Sequence, residues 1–145
     1  LYDLEAYSVP QPGRKELAEA MSSGTQEDGC VILTFEESLP SMKEYSAALE
    51  EHWRAMIHAA IQEAAAQEQL PQFDRAFVQI EITTPRGSNN CQLWDTCNRA
   101  VNLVINNLKG IFFWDDDLEH MAFSVVGAWG ETGRTVVRIS RFLAP

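Results

Sequence analysis

Met42, Tyr45, Leu49, Trp53, Met56, Ile57, Ala60 and Ala64 recur at steps of three and four residues. An α-helix turns once in about 3.6 residues, so this spacing gathers them into one apolar stripe. The segment spans about seven helical turns and should stop near Leu70-Pro71, because proline cannot continue a helix. Ser41-Met42-Lys43-Glu44, directly after Pro40, has the spacing of a capping box at the amino end. A helix this long with one apolar side must bury that side against another layer. The Met and Trp residues of the stripe therefore read as core, and His52 and His58 as surface residues.

The covering layer is legible as short β-forming runs. Cys30-Val31-Ile32-Leu33-Thr34-Phe35 is apolar and β-branched, and lies between Gly29 and Glu36-Glu37. Residues 77–83 alternate, with Val78, Ile80 and Ile82 on one face and Phe77, Gln79, Glu81 and Thr83 on the other. A loop rich in Gly, Ser and Asn follows from Pro85 to Gln92. A second helix is expected over residues 96–109, burying Cys97, Val101, Val104, Ile105 and Leu108. Gly110 is its left-handed stop. Residues 111–114 form a brief apolar run. Met121, Phe123 and Val125 alternate with Ala122, Ser124 and Val126, and residues 134–142 make a last strand after the turn Gly130-Glu131-Thr132-Gly133. These two strands are expected to pair as an antiparallel hairpin.

The expected class is α+β: a small mixed sheet of four or five strands packed by one long and one shorter helix. Residues 1–29, rich in polar residues, Pro and Gly, read as an N-terminal arm with one short helix over 14–21. Residues 30–145 then form a single domain.

The net charge of −10 is unevenly placed. Residues 1–74 hold 14 acids and 4 bases, whereas residues 75–145 hold 7 of each. Nucleic-acid binding needs a basic footprint, and only the second half leaves room for one. Three cysteines with no C-x-x-C pair point away from a disulfide framework or a structural zinc site and toward a reducing cytoplasm. The three histidines lack ligand spacing. No apolar run reaches the roughly 20 residues that span a bilayer, so no membrane partner is expected.

Carboxylates flank the second helix. Asp95 precedes it, and Asp115-Asp116-Asp117 and Glu119 follow it. Clustered carboxylates hold hard divalent cations such as Mg²⁺. The same residues also suit plainer roles, with Asp95 as a helix N-cap and the triplet as a solvated turn. Close like charges repel, so a cation, a proton or solvent must offset some of them. Glu81 and Glu119 are further candidate oxygen donors.

The order strand, loop, Asp95-Thr96-Cys97-Asn98, helix, Leu108-Lys109-Gly110, apolar run, Asp115-Asp116, strand resembles the RusA-type Holliday-junction resolvases over residues 76–142. Small size, a homodimer, dependence on Mg²⁺ (or Mn²⁺) and hydrolysis of four-way DNA junctions are what that resemblance implies. Asp95 matches the first family aspartate, Asn98 the asparagine, Gly110 the helix-ending glycine, and Asp116 or Asp115 the aspartate after the helix. On this reading Asp95, Asp115 and Asp116 are catalytic, Asp95, Asp116 and Asp117 hold the metal, and Arg86, Arg99 and Asn98 contact DNA. Two positions depart from the pattern. Cys97 stands where a second aspartate belongs, and Val101 where a lysine belongs. A thiol is a poor ligand for Mg²⁺, and a missing lysine removes a cation that would face developing negative charge. The alternative is therefore a non-catalytic relative that kept the fold and lost the site.

Overall fold

Val31, Leu33, Phe35, Val78, Ile80, Ile82, Val137 and Ile139 make one buried face of a five-stranded sheet. The computed structural model describes residues 12–86 and 98–143. Its elements are α1 (Pro12–Ala20), β1 (Ser22–Glu27), β2 (Cys30–Phe35), a 3₁₀ turn (Met42–Glu44), α2 (Ala47–Gln67), β3 (Ala76–Pro85), α3 (Val101–Leu108), β4 (Met121–Gly130) and β5 (Arg134–Arg141). The strand order is β1-β2-β5-β3-β4. The chain is α+β with a mixed sheet, because β3 and β4 run parallel and every other pair is antiparallel.

The predicted stripe is the long helix α2, which buries Trp53, Met56, Ile57, Ala60, Ile61 and Ala64. The helix starts later than the spacing suggests. Ser41 and Glu44 close only the 3₁₀ turn, with the Ser41 N–H donating to Glu44 Oε1 at 3.3 Å. Ser46 then caps α2 by accepting from the Leu49 N–H at 3.1 Å. Met42 and Tyr45, before this cap, stay exposed rather than extending the stripe. At the centre Trp53 meets Phe35 edge to face, with 5.4 Å between ring centroids.

The short helix expected over 14–21 is present as α1, and the expected N-terminal arm gives way where Ser22–Glu27 joins the sheet. Residues 12–20 are helix, and Ser22–Glu27 pairs with β2 through the Asp28-Gly29 turn. A polar strand survives here because its backbone lies against α2. A Cβ on Gly24 would stand 1.9 Å from the Ala60 carbonyl oxygen, so only glycine permits the approach. The Gly24 N–H donates to Glu63, Gln67 donates to the Gly24 carbonyl, and Gln26 Nε2 donates to the carbonyls of Ala64 and Glu68.

The expected hairpin of the last two strands is also overturned. β4 and β5 are not neighbours, because β3 lies between them and pairs with both. Val78, Ile80 and Ile82 are almost wholly buried, so β3 takes an inner position with ladder partners on each side. The link from Gly130 to Arg134 crosses the end of β3, about two strand spacings or roughly 10 Å. It passes so close that a Cβ on Gly130 would lie 2.2 Å from Thr83 Cγ2.

α3 is shorter than the expected 96–109 and begins at Val101. Just before it, the Ala100 N–H donates to the Pro40 carbonyl at 2.8 Å, and Arg99 forms an isolated bridge with Ser41. That pairing holds residues 99–100 out of the helix. Leu103, Val104, Ile105 and Leu108 are buried, Val101 packs at the margin of the core, and Gly110 takes the predicted left-handed conformation (φ +84°). Among the described residues, no helix is long and apolar enough to cross a membrane.

Candidate functional site

The segment after α3 is built by two buried aromatics and one turn. Phe112 and Phe113 anchor it in the core, and the Phe73 N–H donates to the Phe112 carbonyl at 2.8 Å. Trp114 then emerges into solvent, and Asp115, Asp116 and Asp117 follow on the way to β4.

These three carboxylates do different things. Lys109, at the carboxyl end of α3, lies 3.7 Å from Asp115 Oδ1 and 3.8 Å from Asp116 Oδ1. The Asp116 N–H donates to Asp115 Oδ1 at 2.8 Å. That backbone hydrogen bond, a side-chain bond with Asp116, and the charges of Lys109 and His120 hold Asp115 below its ordinary carboxylate value. Asp117 is committed to the turn. Its Oδ1 accepts from the N–H groups of Glu119 (2.9 Å) and His120 (3.0 Å) and meets His120 Nδ1 at 2.7 Å. Glu119 is exposed on the same turn, while Glu81 is exposed in the middle of β3, beside Val126.

The predicted DNA contacts are distributed elsewhere. Arg86 stacks over Trp129, 4.7 Å from the ring centroid. Arg99 Nη1 donates to the Leu39 carbonyl at 3.2 Å. Burial lowers the Arg99 pKa, and Glu44 opposes that shift. Asn98 is half-buried one residue earlier. Asn98 and Arg99 thus stand before α3 and Asp115–Asp117 beyond its end. Eight residues of helix, about 12 Å, separate the two groups.

Asp95 and Cys97 lie outside the described residues. The plain N-cap role expected for Asp95 does not apply to α3, whose cap position is Ala100. Val101, where the resemblance leads one to expect a lysine, lines an apolar cavity of about 540 Å³ with Met42, Arg99, Asn102, Phe123 and Val125. The cation beside the acidic turn is Lys109, which sequence reasoning did not single out. Its signal was its place directly between the end of α3 and Gly110. Among the described residues, no group of three or more His, Cys, Asp or Glu side chains is arranged to hold a metal ion.

Compared with protein-family models and with curated proteins, the sequence matches none.

Proposed function

We propose that this chain is a RusA-like endonuclease that hydrolyses phosphodiesters of branched DNA with the help of a divalent cation, acting as a homodimer in the cytoplasm. The observation that carries the reading is the half-exposed Asp115–Asp116 pair, set between the glycine stop of α3 and β4 with a lysine against both carboxylates. An ionised carboxylate pair on a short turn suits a hard cation in donor type. Asp95 and Asp116 would hold Mg²⁺ or Mn²⁺, with Asp115 replacing the carboxylate that Cys97 does not provide. A bound cation would supply charge neutralisation and an activated water. Lys109, beside the acidic turn, would offset its charge near a phosphate, a task that Val101 cannot perform. Arg86, Arg99 and Asn98 remain candidates for the DNA backbone, which basic and amide side chains position.

A second reading, a binding or regulatory protein without catalysis, has its own support. Lys109 already counters both aspartates, Val101 packs on the core, and most acidic residues crowd the first half of the chain. The deciding experiment is cleavage of a labelled four-way junction at low salt with Mg²⁺ or Mn²⁺, beside linear duplex and Asp116→Asn. It is joined by a calorimetric Mn²⁺ titration of the same proteins. Junction-selective cutting and Mn²⁺ binding, both lost in Asp116→Asn, support the nuclease. A folded wild type that neither cuts nor binds Mn²⁺ supports the second reading.

A further inference from the structure

We infer that β4 is a self-association edge, on which a second copy of this chain adds its own β4 to make one continuous sheet. β4 is the outermost strand and pairs only with β3, so its outer row of backbone N–H and C=O groups has no ladder partner among the described residues. Sheet edges are commonly protected by charged residues, proline, a bulge or shortness. The ten residues Met121–Gly130 have no charged residue and no proline, and they pair with β3 in unbroken register. Phe123 and Val126, on opposite faces of the strand, are more than half exposed. The other edge, β1, is short and polar and is bonded along its length to α2. Among the described residues, β4 is therefore the edge of this sheet left open to another strand.

Charge decides the occupant. The excess acidity belongs to residues 1–74, which include β1, β2 and α2, the elements at the far edge of the sheet. Two copies joined through β4 keep those acidic ends apart and bring together strands that carry no charge. In an antiparallel pair about a two-fold axis, the carboxyl end of each β4 lies beside the amino end of its twin. Arg86, stacked on Trp129 at the carboxyl end, then approaches Glu119 and Asp117 at the other, while Glu131 tempers the pairing. Main-chain hydrogen bonds across an added strand supply the contact. This inference gives a surface to the homodimer proposed above and is independent of catalysis.

The test is sedimentation equilibrium of the full chain, wild type and with Val126→Lys or Phe123→Lys, together with amide hydrogen exchange of the wild type at several concentrations. The wild type should reach twice the 16.3 kDa chain mass. Its β4 amides should gain protection with concentration while those of β1 do not. Both lysine variants should lose the dimer and keep the wild-type circular dichroism. A wild type of single-chain mass at every concentration overturns the inference and the homodimer together. A dimer whose β4 amides gain no protection, or that persists in both folded variants, overturns the β4 edge alone. Hydrogen exchange keeps the test open if the variants fail to fold.

Discussion

The Lys109 ammonium stands 3.7 Å from a carboxylate oxygen of Asp115, so the residue after α3 and the turn before β4 form one electrostatic unit. Both groups are partly exposed, and ion pairs in contact with solvent contribute little to stability. The contact therefore bears on how the turn is charged more than on whether the chain folds.

Asp116→Asn should abolish junction cleavage and leave stability within about 0.5 kcal/mol, the usual range for surface changes. Gel-based cleavage and a urea titration of the same preparation check it. Wild-type cutting by the variant removes Asp116 from the site.

Acid titration should separate Asp115 from ordinary aspartates. Its folded pKa lies below the unfolded value, first through the Asp116 N–H and then with help from Lys109. The stabilisation it brings is present above the unfolded value of about 3.9 and is lost as pH falls through the lower folded value. Carboxyl NMR should find its midpoint below that of an ordinary aspartate, and Lys109→Ala should raise it only partway, since the backbone bond remains. A full return to the ordinary value in Lys109→Ala would assign the shift to the lysine.

Gly24→Ala should destabilise the fold by about 1–3 kcal/mol, the usual cost of overpacking. The new Cβ would meet the Ala60 carbonyl oxygen, a backbone atom on α2 that cannot rotate away. Denaturant midpoints measure this, and a neutral result would mean that β1 lies farther from α2.

Thr135→Val should cost about 1–3 kcal/mol by stranding a buried donor. Thr135 Oγ1 accepts from the Leu39 N–H and donates to the Glu37 carbonyl, both at 2.8 Å. These bonds fix the segment leading to Ser41, which pairs with Arg99. If Arg99 contacts DNA, the variant should also weaken junction affinity in a filter-binding assay. Unchanged affinity would uncouple the segment from the site.

Strong periodicity made part of this fold readable. The stripe of α2, the alternation of β3 and the glycine stop of α3 all state their structure within a few residues of sequence. β1 escaped because Ser22-Ser23-Gly24-Thr25-Gln26-Glu27 has no apolar alternation. Its strand state comes from a helix about forty residues away, and the Asp28-Gly29 pair was the local hairpin signal. The partner of β4 escaped for a related reason. A short turn between two strands suggests a hairpin, and nothing local says that β3 will lie between them. At the candidate site the sequence gathered the acidic residues, but not their division of labour. Whether an aspartate faces a lysine or closes a turn depends on a few ångströms.

The crossing of β3 by the Gly130–Arg134 link also orders events in time. β2 pairs with β1 and β5, and β3 pairs with β4 and β5, so without β5 the sheet is two unconnected pieces. β5, which follows the other four described strands in the chain, thus stitches them together. During translation the nascent chain holds an α2 whose apolar side has only half a sheet to cover it. Contacts so distant in sequence slow folding, and the emerging chain cannot close its core until residues 134–141 have left the ribosome.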